Sequence, residues 1–139
     1  MARGMAGEAG DLTLPPLDEH EFTKRLPVWT ALAQLFLDTE HAPAIRDGMA
    51  RDIAASAYDI EAIDEILKSE VAPMFGGNLL SVAGAWELWG EDQIAAITRR
   101  ELLESGGLSL TQRATGKLAM RMIRGDWKGL RQRVLAQRS

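Results

Sequence analysis

The sequence predicts an all-α protein, a compact bundle of about five to six helices around a central apolar helix at residues 26–38. Three observations carry that expectation. Apolar residues recur at three- and four-residue intervals through most of the chain, and no stretch alternates with the period of two that a half-buried strand requires. Pro, Gly and Asp punctuate this pattern at helix-length intervals. At 139 residues, 46% hydrophobic and 26% charged, the chain has the size and balance of one soluble domain with its own core.

Residues 1–17 are rich in Gly, Ala and Pro and read as a flexible tail, followed by a single helical domain over 18–139. Asp18 to Arg25 reads as an introductory turn. In the central stretch Val28 to Glu40, Thr30, Gln34 and Asp38 make one polar stripe, and nearly everything else is apolar. A helix apolar around most of its circumference must be enclosed by others. Pro27 suits its first turn, where the missing N–H has no helical partner to lose.

Pro43 opens a second helix over 44–55, with Ile45, Met49 and Ile53 on one side. Asp59 is placed to cap a third, Ile60 to Val71, which Pro73 should stop. Asn78 could cap a short helix at 79–85, and a fifth runs about 91–104, closed by Ser105-Gly106-Gly107. The basic C-terminal segment, 108–138, begins with an apolar line of Leu110, Ala114, Leu118 and Met122. Gly125-Asp126 should break it, with a last helix from Trp127 to about Gln137.

Several pieces together resemble a family of small bacterial all-helical proteins of unknown function. They are the Val28-Trp29-x-Ala31-Leu32 opening that runs to Leu35-Phe36-Leu37-Asp38-Thr39-Glu40, Ser56-x-Tyr58, Ile66-Leu67-x-x-Glu70-Val71-Ala72-Pro73, Asn78-Leu79-Leu80-Ser81-Val82-Ala83-Gly84-x-Trp86, and Gly125-Asp126-Trp127. The resemblance covers about Arg25 to Trp127. It implies a compact helical domain and supplies no catalytic residues.

Charge is unevenly placed. Net charge is −4, but residues 1–105 hold 8 Lys/Arg against 19 Asp/Glu, whereas residues 106–139 hold 8 Lys/Arg and only Asp126. Such asymmetry marks either a nucleic-acid or membrane contact, or a basic end that packs on an acidic body.

Enzyme signatures are missing. There is no Cys, hence neither a disulfide framework nor a thiolate metal site. His20-Glu21 begins H-E-x-x-H, but Lys24 stands where the second His belongs. The clusters around His20 and His41 would have to meet to hold a metal, so no metal or cofactor is expected. No Ser lies in G-x-S-x-G, and Gly116-Lys117 lacks the rest of a phosphate loop. No secretory signal or membrane span is read, which makes the cytoplasm the expected compartment.

The sequence therefore points to a non-catalytic binding protein, of the kind immunity proteins exemplify. Its first candidate surface is acidic: Asp59, Glu61, Asp64 and Glu65 on the third helix, which could dock a protein partner. The alternative is a nucleic-acid-associated regulator that uses a basic line, Arg113, Lys117, Arg121 and Arg124, to meet phosphates. Trp86 and Trp89, in a Gly-flanked stretch, are the candidate exposed aromatics.

Overall fold

A computed structural model describes residues 14–37, 41–80 and 89–139; these form helices and turns, with no strand among them. The all-α expectation holds. Helix α1 (Glu19–Ala33) starts seven residues before the predicted 26, because Asp18 is its cap: the carboxylate accepts from the Glu21 N–H at 2.8 Å. Pro27 thus lies inside the helix rather than in its first turn. Its missing N–H deprives the carbonyl of Thr23, an exposed residue, of a helical donor, and water can substitute there. A 3₁₀ turn, Gln34–Phe36, ends the element.

The second half of α1 is enclosed as the sequence suggests. Val28, Trp29, Leu32, Ala33 and Phe36 are fully buried. Helix α2 (Pro43–Ala54) and helix α6 (Glu91–Thr98) pack against it. Asp38 and Trp86 lie outside the described residues.

Helix α3 (Ile60–Ile66) has the expected cap, Asp59 accepting from the Ala62 N–H at 2.8 Å. Pro73 does not stop it. A π-helical stretch, Leu67–Val71, carries the chain into α4 (Ala72–Phe75) and then α5 (Gly77–Leu80). The wider turn makes room for the proline ring, which would clash with the carbonyl four residues back in a regular helix. This bent rod touches α1 on one side and α7 (Leu110–Met122) on the other.

Ser109 and Gln112 cap α7 reciprocally, the hydroxyl accepting from Gln112 N–H at 3.1 Å and the amide oxygen from Ser109 N–H at 2.8 Å. Gly106 and Gly107 ahead of it take positive φ, 80° and 107°, which few side chains tolerate. The break before α8 (Arg124–Arg138) falls at Ile123, so Gly125 and Asp126 are helical.

The inward face of α7 is not its line of large apolar residues. Leu110 is 85% exposed, Leu118 48% and Met122 53%. Gly116, Ala119 and Ile123 are buried instead. Small residues win because they let two backbones approach: a Cβ on Gly116 would lie 2.8 Å from the Pro73 nitrogen. Close packing of α7 on α4 thus leaves the large apolar side chains outside.

Candidate functional site

Two groups of polar side chains stand out. The first is internal. Arg25, 2% exposed, donates from Nε to Glu21 Oε2 at 2.8 Å, from one terminal nitrogen to Glu70 Oε2 at 2.6 Å, and from the other to the Pro15 carbonyl. Trp29 Nε1 donates to the second Glu70 oxygen at 2.9 Å, and the Tyr58 hydroxyl donates to Glu21. Burial and helix spacing set this up, with Glu21 and Arg25 four apart on α1 and Glu70 on the π stretch. Burial pushes the Glu21 carboxyl up, but hydrogen bonds from Tyr58 and Arg25 outweigh it and hold it below the usual value. For Glu70 burial wins over the bonds from Trp29 and Arg25, so its carboxyl is raised. Burial, then the bond to Glu21, raises the Tyr58 phenol. Each nitrogen of Arg25, the Trp29 indole and the Tyr58 hydroxyl has an acceptor inside the protein, so the network joins α1, the turn before α3 and the π stretch rather than offering groups to a ligand.

Trp29, Tyr58 and Glu70 all belong to the stretches that carry the family resemblance, and they meet on this one network. Sequence reading gave Glu21, Arg25 and Glu70 no role. The available signal was a Glu and an Arg one turn apart, next to the most apolar helix of the chain.

The second group lines the surface beside α7. A cleft of about 530 Å³ is formed by Asp64, Lys68, Lys117, Met120, Arg121, Arg124 and Trp127. A neighbouring cleft of about 390 Å³ includes Lys68, Pro73, Leu110, Arg113, Ala114 and Lys117. They share Lys68 and Lys117, so together they form one groove between the rod and α7. The predicted basic line is thereby brought to one side of a groove, and its floor and walls include apolar side chains.

The C-terminal positive charge divides in two. Arg133 pairs with Asp47 on α2, and Arg138 donates to the Ile53, Ala54, Ser56 and Tyr58 carbonyls, closing the end of α2. This half packs on the acidic body. Arg113, Lys117, Arg121 and Arg124 make no ion pair among the described residues.

The acidic candidates are engaged locally. Asp59 caps α3, and Asp64 accepts from Trp127 Nε1 at 2.9 Å and pairs with Lys68 at 2.7 Å. Glu61 is exposed and Glu65 half-buried on the same helix. Trp89 is half-buried, its ring 5.2 Å from that of Phe75 and its backbone held by both ends of the Gln34 amide.

His20 and His41 do not meet. Helix α1 separates them, about 22 Å long at the usual helical rise. No group of metal-ligating side chains occurs among the described residues. His41 instead borders a cavity of about 190 Å³ with Arg46 and Asp126, and its Nε2 is buried without a hydrogen-bond partner among the described residues. Burial, then the Arg46 charge, holds its pKa below the usual value, against Asp126 and a hydrogen bond with the Gln34 backbone.

Among the described residues no helix is long and apolar enough to cross a membrane. No curated protein and no solved structure matches the chain. Residues 23–133 match the Domain of unknown function (DUF7079), and the chain belongs to that family.

Proposed function

We propose that this protein is a non-catalytic protein-binding domain whose binding surface is the cationic groove beside α7. One observation carries the reading: four cations on α7 and at the start of α8 line an open groove and make no ion pair among the described residues, and the carboxylate in that lining, Asp64, is already engaged by Lys68 and Trp127. Cations left unpaired beside apolar side chains favour an acidic partner that is itself partly apolar. Leu110, 85% exposed, adds apolar surface at one end of the groove, whereas Met122 borders the separate cavity around His41. The acidic face of α3 supports binding less well, because Asp59 and Asp64 already serve a cap, an indole and a lysine. A bacterial, cytoplasmic setting belongs to the same proposal.

The test is affinity capture from a lysate of the source organism, with nuclease added. Wild type, Lys117→Glu/Arg121→Glu and Glu61→Lys/Glu65→Lys serve as baits. A protein held by the wild type and by the α3 variant, but lost from the α7 variant, is the expected result. Loss from the α3 variant alone would move the surface to the acidic face. Capture that vanishes with nuclease would replace the reading with nucleic-acid binding.

A further inference from the structure

We propose, resting on that reading, that the groove holds an acidic amphipathic helix laid alongside α7. Length comes first. Helix α7 has 13 residues, so the groove beside it accommodates a partner of three to four turns, about 20 Å. Arg113, Lys117 and Arg121 stand four residues apart, about 6 Å per step along the axis. Carboxylates at positions i, i+4 and i+8 of a helix alongside α7 repeat with that same rise.

The apolar side chains fall at the two ends. Leu110, Ala114 and Pro73 line one cleft, and Met120 with Trp127 lines the other. A partner helix would enter each with one apolar residue, the anchor-and-stripe pattern of helix-in-groove recognition. Asp64 sets the polarity of the second cleft. It is held there by Trp127 and Lys68, so partner carboxylates are turned away from it and toward Arg121 and Arg124.

Two other occupants fit less well. An extended peptide that adds as a strand needs a sheet edge, and no strand exists among the described residues. Single-stranded nucleic acid needs aromatic faces on which bases stack. Among the described aromatics, Phe22, Trp29, Phe36, Tyr58 and Phe75 are buried, and Trp89 is packed on Phe75. Trp127, which lines the second cleft, is only 7% exposed with its indole N–H given to Asp64, too little open face for bases to stack on in succession.

Selection from a display library of random 14-residue peptides against the full chain tests this. The expected winners carry Asp or Glu at four-residue spacing with apolar residues on the adjoining stripe. They gain helical circular dichroism on binding, and lose at least tenfold in affinity against Lys117→Glu/Arg121→Glu. A Leu110→Ser variant should weaken them several-fold while leaving the fold intact. Winners that are acidic without a helical period overturn the helix and leave the groove reading standing. So does an empty selection while lysate capture still depends on groove charge. Capture indifferent to groove charge overturns both. Displacement of the winners by a thymidine 12-mer at lower concentration assigns the groove to nucleic acid and also overturns the proposal.

Discussion

Arg25 on α1 meets Glu70 on the π stretch at 2.6 Å, with the arginine almost wholly out of water. A guanidinium buried this deeply is tolerable because each of its three nitrogens has an acceptor, in Glu21, Glu70 and a backbone carbonyl. It fixes the register of α1 against the rod, and so holds in place the wall on which α7 rests.

Removing that cation should be among the most damaging single changes. Arg25→Leu leaves Glu21 and Glu70 buried with their principal counter-charge gone. The expected loss is about 3–5 kcal/mol, the usual consequence of breaking a buried pair from one side. Urea unfolding followed by tryptophan fluorescence measures it. A loss below about 1 kcal/mol would mean that water reaches the network.

Tyr58→Phe probes the same network gently. The phenol donates to Glu21 and touches no surface ligand. Its loss removes one hydrogen bond to a charged group, about 1.5–3 kcal/mol, and should raise the Glu21 pKa, because that bond is one of the causes holding it down. Carboxyl-resolved NMR titration reads the second effect independently of stability.

The two outcomes differ in how far they could be read from residues alone. The burial of Val28 to Phe36, the Asp59 cap and the Gly106-Gly107 stop were legible, because apolar density, a side-chain oxygen and a positive φ act locally. The Arg25 network was not. Charged residues read as solvated unless something marks them as enclosed, and Glu70 comes from 45 residues away. The inward face of α7 was not legible either, for another reason. Size suggested Leu118 and Met122, but the distance to α4 favoured Gly116 and Ala119. The basic line itself was legible from spacing; that a groove with an apolar lining would adjoin it was not.

Glycines on α7 and α8 should therefore respond in opposite directions. Gly116→Ala puts a methyl 2.8 Å from the Pro73 nitrogen and 3.1 Å from the Ala72 carbonyl carbon. Backbone cannot swing aside as a side chain would, so overpacking of about 1–3 kcal/mol should exceed the gain in helix propensity. Gly129→Ala, inside α8, meets nothing within 4 Å and should stabilise by about 0.5–1 kcal/mol. Thermal unfolding of the pair decides it: equal signs would contradict the close α4–α7 approach.

His41 gives the stability a pH dependence of known sign. Its pKa in the folded state is below 6.5, chiefly through burial and then Arg46. A depressed folded value means that the unfolded chain takes up the proton first. The contribution is present above pH 6.5 and is lost as pH falls through the folded value. Glu70, raised by burial, acts oppositely: its contribution is present below pH 4.5 and is lost as pH rises through its folded value. The difference between wild type and His41→Gln isolates the histidine. The variant should lose less stability than wild type between pH 7 and 5, measured by urea unfolding. Parallel curves would mean the ring is solvated.

The groove cations should separate binding from folding. Lys117 and Arg121 are exposed and make no ion pair among the described residues, so Lys117→Glu/Arg121→Glu should leave stability within about 0.5 kcal/mol per site. Partner binding should fall at least tenfold, and its salt dependence should flatten, because fewer opposite charges then meet. At about 0.1 M salt, screening acts over roughly 10 Å, a distance comparable to the spacing of these side chains from a docked helix. Leu110→Ser should behave differently. It removes apolar area from a side chain 85% exposed in the free protein, so binding weakens while the slope against salt stays that of wild type. Fluorescence anisotropy at several salt concentrations distinguishes the two variants. If Leu110→Ser changed the slope as much as the charge reversal did, the apolar and cationic parts of the groove would not be acting on one partner as separate contributions, and the groove would have to be described as an electrostatic surface alone.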